Sequence, residues 1–284
     1  VIRHPDNKDL PQLISLWEEA FGDSFEETQA WFKARHKDDN MLVYEEDGLI
    51  SGMMSMLPVD LMSQQKAYPA RYVFAVATRK SHRGRGISSR LLDKAHDLMR
   101  KEGSVASLLV PAEDSLFDFY GKRGYQTQFF IDEALVDGKD LQAVTAGDSA
   151  AQTSAAEYLS VRNEAFRDSG LFIRWDVEAL DFIRQSGLSN GDQMLTMRIG
   201  GRTAAAVCMV REGYVRVTEL ICQTGDVPRA LALIHQRYQA RHYQVRMREG
   251  SLGMGSNRPF GMIHWLGEPL AVNGSPPYLS FAKD

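Results

Sequence analysis

The stretch Val73-Phe-Ala-Val-Ala-Thr-Arg-Lys-Ser-His-Arg83-Gly-Arg-Gly-Ile87-Ser-Ser-Arg-Leu-Leu92 decides the fold. Tyr72–Ala77 is an apolar run with β-branched members and suits a buried strand. A polar, basic loop follows, with glycines at 84 and 86. A helical pattern then starts at once, with Ile87, Leu91, Leu92, Ala95, Leu98 and Met99 on one face. Strand, glycine loop and helix start make a cradle for an anion. Gly84 and Gly86 permit unusual φ and close backbone approach. The first N–H groups of a helix have no internal partner, and the macrodipole adds positive charge there. Ser88 and Ser89 offer hydroxyl donors, while Arg83 and Arg85 bring full charges. A pyrophosphate suits this arrangement. Gly-x-Gly alone is a weak signal, because an ordinary turn carries it too. The P-loop pattern is absent, and Ser89 stands where a dinucleotide fingerprint needs its third glycine.

Working outward, the helix Ile87–Lys101 stops at Gly103, and Ala106–Val110 reads as a buried strand. Ser115–Tyr120 is a short helix and Tyr125–Val136 a closing strand. Upstream, Asp6 or Asn7 caps a helix over Leu10–Phe21, and Glu26–Arg35 forms a second helix. Strands Met41–Glu45 and Leu49–Val59 flank the turn signal Asp47-Gly48. Met53, Met54, Met56 and Met62 read first as core filling and second as a plastic pocket wall. Residues 143–156, rich in Ala, Ser, Thr and Gly, read as a linker or domain edge. Helices Ala155–Phe166 and Asp176–Ser186 follow, then a hairpin Gln193–Ile199/Arg202–Val210. A strand Tyr214–Cys222, a helix Pro228–Arg241 and a strand Tyr243–Met247 come next. That order repeats the order of residues 10–110. Phe260–Trp265 and Pro277–Ala282 read as a terminal hairpin.

Arg83-Gly-Arg-Gly-Ile87, with Ala75-Val76-Ala77 before it, resembles the acetyl-CoA motif of the GNAT N-acetyltransferases. Phe119-Tyr-Gly-Lys-Arg-Gly-Tyr125 resembles the same family's Phe-Tyr-x-x-x-Gly-Phe/Tyr signature. One helix and one strand separate the two motifs, and together they are specific. Ser81 departs from the family's Gln or Arg before the first glycine. The resemblance implies an α/β (α+β) fold of two tandem GNAT-like domains. Each would be a mixed, mostly antiparallel sheet flanked by helices, with residues 1–142 catalytic and 143–284 degenerate. The second loop, Gln223-Thr-Gly-Asp-Val-Pro228, lacks the cradle, and Asp226 would repel a pyrophosphate. The tandem plan is similar to that of the Eis-like acetyltransferases.

The resemblance also implies acetyl-CoA as acyl donor and no metal. Ala75, Val76, Ala77, Arg83, Gly84, Arg85, Gly86, Ile87, Ser88 and Ser89 would hold the donor. A backbone N–H of the Ala75–Ala77 strand would polarise the thioester, and Tyr120 would protonate the leaving sulfur. The competing reading makes Tyr120 a packing side chain, as Tyr125 is read. Phe21, Phe25, Trp31 and Phe32 are candidate walls for the acceptor, or simply core. The general base stays open among Asp23, Glu26, Glu27, Glu113, His36, His82 and the terminal carboxylate of Asp284.

Composition narrows the classes. The 284 residues suffice for two domains, and 44% hydrophobic with 25% charged residues is ordinary for a globular chain. A net charge of −4 argues against a nucleic-acid partner. No apolar run has membrane-spanning length and no leader pattern opens the chain. Two cysteines, Cys208 and Cys222, suit a reducing, cytoplasmic compartment. The expected partner is a small-molecule or peptide amine, and a homo-oligomer is compatible with the sequence. The runner-up is a non-catalytic acyl-CoA-binding or protein-interaction module.

Overall fold

The computed structural model describes residues 1–272 and 274–280. The chain forms two compact units. One comprises Val1–Leu61, Ala67–Gln126 and Met262–Leu270; the other comprises Met62–Lys66, Thr127–Gly261 and Ala271–Asp284.

The first unit opens with β1 (Ile2–Arg3), α1 (Leu10–Phe21) and α2 (Phe25–Arg35). Strands β2 (Met41–Glu46), β3 (Leu49–Ser63) and β4 (Lys66–Thr78) form a meander. Then come α3 (Ile87–Lys101), β5 (Ala106–Leu109) and α4 (Asp114–Gly121). Their sheet runs β1-β2-β3-β4-β5 and is antiparallel except for the parallel pair β4–β5. α1 is not capped by Asp6 or Asn7. Asp9 takes the N-cap position, and its carboxylate accepts from Arg3 at 2.6 and 2.9 Å. α2 starts one residue early because Ser24 and Glu27 close a capping box. The apolar face of α3 (Ile87, Leu91, Leu92, Ala95 and Met99) packs on Met54, Met56 and Val73. Gly52 of β3 makes this close docking feasible: a Cβ there would lie 2.5 Å from Ile87 Cγ2. Met53 and Met62 are buried as well, so all four methionines fill core.

The second unit contains β6 (Gln126–Asp137), β7 (Ser149–Gln152), α5 (Ala155–Phe166), β8 (Leu171–Arg174) and α6 (Val177–Gly187). β9 (Gln193–Ile199), β10 (Arg202–Arg211), β11 (Tyr214–Ile221), α7 (Val227–Tyr238) and β12 (His242–Arg248) complete it. The sheet order is β6-β12-β11-β10-β9-β7, again with one parallel pair, β11–β12. The expected repeat of element order is present, with β8 as an insertion between the two helices. Residues 143–156 are not a plain linker: β7 pairs with β9 from Ser149–Arg198 to Gln152–Leu195, and Ser154 caps α5. α7 ends at Tyr238, where Gln239 turns left-handed, three residues short of the sequence-based end. Arg162 and Glu219 form a fully buried ion pair at 3.1 Å, with the Tyr158 hydroxyl also donating to Glu219.

The expected terminal hairpin is a single strand. β13 (Ser256–Trp265) runs antiparallel to β5, from Met262–Leu109 to Trp265–Ala106, and so completes the first sheet. Of Pro277–Ala282, Tyr278 forms only a bridge with Phe172, and residues 281 and 282 lie outside the described ones. Among the described residues no helix is long and apolar enough to cross a membrane.

β13 also brings His264 onto His96 of α3. The rings stack with centroids 4.2 Å apart. His96 Nε2 and Ser107 Oγ share hydrogen bonds with the Tyr125 hydroxyl, at 3.0 and 2.6 Å. Burial, then His264, pushes His96 down to about 3, and burial lowers His264 too. An unfolded histidine takes up its proton below about 6.5. Between that pH and about 3 the unfolded chain therefore binds more protons than the native one. Stability is full above the window and falls as pH drops into it, by up to about 1.4 kcal/mol per pH unit per histidine. Urea midpoints at neutral and mildly acidic pH should show this decline, and the decline should shrink in His96→Phe. An equal slope in both proteins would contradict the assignment.

Candidate active site

The site begins where a ladder ends. β4 and β5 pair through Ala70–Ala106, Arg71–Ser107 and Tyr72–Leu108, and their register goes no further. Beyond it Ala75 takes a φ of +52° inside β4. A non-glycine residue in that region costs about 1–3 kcal/mol and breaks the extended course of the strand backbone. The two strands part at the segment expected to polarise a thioester.

The loop after β4 is pinned from behind. Glu19 of α1 accepts from the Lys80 N–H at 2.6 Å and from Arg79 at 3.2 Å, contacts that hold its carboxyl below the usual range. Arg79 Nε also donates to the Ile50 carbonyl at 2.8 Å. Gly84 and Gly86 then take φ of +78° and +74°, which side-chain-bearing residues adopt at a cost. Gly86 is the N-cap of α3 and supplies no side chain to its open N–H groups. A Cβ on either glycine would meet nothing within 4 Å, so the space before the helix is open.

That space is a cleft of about 450 Å³. Val76, Ala77, Arg83, Gly84, Gly86, Ile87, Ser88, Ser89 and Tyr120 line it, all of them expected from sequence. Two expected residues do not. Ala75, with its left-handed φ, is buried in β4 and not in the lining, and Arg85 pairs with Glu46 at 2.7 Å. Ser88 Oγ is tied to Thr78 Oγ1 at 2.9 Å.

Sequence reasoning missed Arg123, which also lines the cleft. Its Nε donates to Ser89 Oγ at 2.9 Å and its Nη1 to the Phe119 carbonyl. Its guanidinium lies 3.6 Å from the centre of the Phe119 ring. Arg123 therefore ties the start of α3 to the helix that carries Tyr120. It lies inside the quoted Phe119–Tyr125 motif, in the turn that follows α4.

Tyr120 is buried against Phe119 and Tyr125, with ring centroids 5.1 and 5.6 Å away. Burial, opposed by Arg123, pushes its phenol up to about 12. It keeps its proton at neutral pH. Tyr125 is the packing tyrosine, fully engaged with His96 and Ser107.

Of the aromatic residues expected to wall the acceptor, Phe21 is 45% exposed and lines the cleft, whereas Trp31 and Phe32 are core around Trp17. Phe25 is exposed. Of the candidate bases, His82 lines the cleft. Asp23 accepts from the Trp17 indole at 2.8 Å, Glu27 closes the α2 cap, and His36 is held low by burial beside Asp38. The Asp284 carboxylate lies outside the described residues. Among the described residues no three His, Cys, Asp or Glu side chains gather to hold a metal.

Residues 1–128 match the profile of the acetyltransferase (GNAT) domain. No curated protein matches the chain in sequence. Solved structures match it in shape. A GCN5-related N-acetyltransferase from Kribbella flavida superposes with a TM-score of 0.74 at 15% identity, over 93% of this chain and 70% of that one. Eis1 from Mycobacterium abscessus gives 0.68 at 11% identity, over 94% and 74%. A tandem GNAT protein from the clavulanic acid biosynthesis pathway gives 0.59 at 14%, over 94% and 98%. At such identities the likeness is one of fold. Residues 1–128 thus match the GNAT domain, in a chain whose fold is like that of the GNAT proteins, tandem members among them.

Proposed function

We propose that the protein is an acetyl-CoA-dependent N-acetyltransferase acting on a primary amine of a small molecule or peptide. One observation carries this reading: the glycine cradle before α3 and the protonated Tyr120 face the same cleft. The N–H groups after Gly86, with Arg83 and Ser89, would hold the pyrophosphate. The opened edge of β4 would bond the pantetheine arm and polarise the thioester carbonyl. The neutral amine attacks the carbonyl carbon, the C–S bond breaks, and the leaving thiolate takes the Tyr120 proton. The amine gives up its own proton to His82 or to solvent water. Two unpaired cysteines, Cys208 and Cys222, favour a reducing cytoplasmic setting.

The test is amine-dependent release of free CoA from acetyl-CoA across a panel of small amines and short peptides. Release that needs both protein and amine supports the transferase. Tight CoA binding without release for any amine leaves the acyl-CoA-binding module instead.

A further inference from the structure

Several arginines withdrawn from water in this protein are met by carboxylates. Arg162 pairs with Glu219, Arg246 with Glu133, and Arg79 with Glu19. Arg248 is an exception. It is half-buried at the carboxyl end of β12, and no carboxylate among the described residues pairs with it. Its Nη1 donates to Ser169 Oγ at 3.0 Å, and its guanidinium lies 5.6 Å from the centre of the Phe166 ring. Its Nε is buried and has no acceptor. Arg162 lies 5.3 Å from the same ring, but Glu219 balances that charge. Burial lowers the Arg248 pKa, with only Tyr278 opposing. A buried N–H left unmet is destabilising, and more so when it carries charge.

The place in the fold is also that of a ligand. β11 and β12 are the parallel pair of the second unit, and their register ends at Val217–Val245, short of Arg248. In open α/β sheets ligands bind beyond the carboxyl ends of parallel strands, and the mixed sheet of this unit has one parallel pair. The first unit has its cleft at the corresponding point, beyond Tyr72–Leu108. The phosphate cradle is not repeated. Asp226 stands in the loop before α7 and accepts from Arg202 at 2.6 and 2.9 Å.

We propose that Arg248, steadied by Ser169, is the receptor for a carboxylate group of a ligand bound by the second unit. With Nη1 engaged by Ser169, the free edge is Nε with Nη2. Two parallel donors on one edge match the two oxygens of a carboxylate. A tetrahedral phosphate would meet the same two donors with only two of its oxygens. The site rests on the second unit alone and does not depend on the acetyltransferase reading.

The test follows the Arg248 Nε–H signal in ¹⁵N-labelled full-length protein, assigned by its loss in Arg248→Lys. Sodium succinate, sodium phosphate and sodium chloride are titrated at matched ionic strength. The expected result is a saturable shift with succinate and none with chloride. Succinate affinity, followed on neighbouring backbone amides, should fall by roughly tenfold in Arg248→Lys, the worth of one charge-assisted bond. Ser169→Ala should cause a smaller loss, and decides the matter should Arg248→Lys fail to fold. No saturable shift in the wild type overturns the proposal, as does equal affinity in the variants. A stronger response to phosphate overturns the carboxylate assignment.

Discussion

Gly86→Glu is expected to abolish acetyl-CoA binding, with affinity falling by about a thousandfold or more. Two terms add. The residue must hold a φ of +74°, which costs a side-chain-bearing residue about 1–2 kcal/mol. The new carboxylate then projects into the open space before α3, where the pyrophosphate is to sit. Like charges about 4 Å apart at an effective dielectric of about 20 repel by about 4 kcal/mol, against 1.4 kcal/mol for each factor of ten. Gly86→Ala separates the terms. It carries the backbone strain without the charge, so it should lower stability while leaving most of the affinity. A folded Gly86→Glu protein that still binds acetyl-CoA tightly would place the pyrophosphate elsewhere.

Tyr120→Phe is expected to lower kcat by about 10²–10⁴, the usual worth of a general acid, with acetyl-CoA affinity unchanged. The substitution removes one oxygen and keeps the ring that packs on Phe119 and Tyr125. Because burial holds the phenol up near 12, the wild-type rate should show no loss of this acid through neutral and mildly alkaline pH. A drop in kcat with constant affinity separates a proton donor from a packing residue. Unchanged turnover in Tyr120→Phe removes the hydroxyl from the mechanism.

Much of this site is legible in the sequence, because its parts are local. A strand, two glycines and a helix start lie within twenty residues, and each has a distinct composition. α1 and α3 have the residue bounds that their apolar periodicity gives. What escaped was set by contacts distant in sequence or by weak composition. β7 is built from Ser, Ala, Ala and Gln, and only its pairing with β9 makes it a strand. β13 reads as half of a hairpin until β5 is seen to lack a partner on that edge. Arg85 and Arg123 illustrate the same limit. Both are cations near the cradle, but Glu46 draws one away while Ser89 and the Phe119 carbonyl hold the other in the cleft. The left-handed Ala75 has no sequence signal, since alanine is not a residue that favours that conformation.

The central claim is that the first unit holds acetyl-CoA before α3 and that the second has lost this capacity. Calorimetric titration of the purified protein with acetyl-CoA, with CoA as comparison, tests it most directly. The account predicts micromolar binding at one site per chain, lost in Gly86→Glu. Absence of binding, or two equivalent sites per chain, would contradict it.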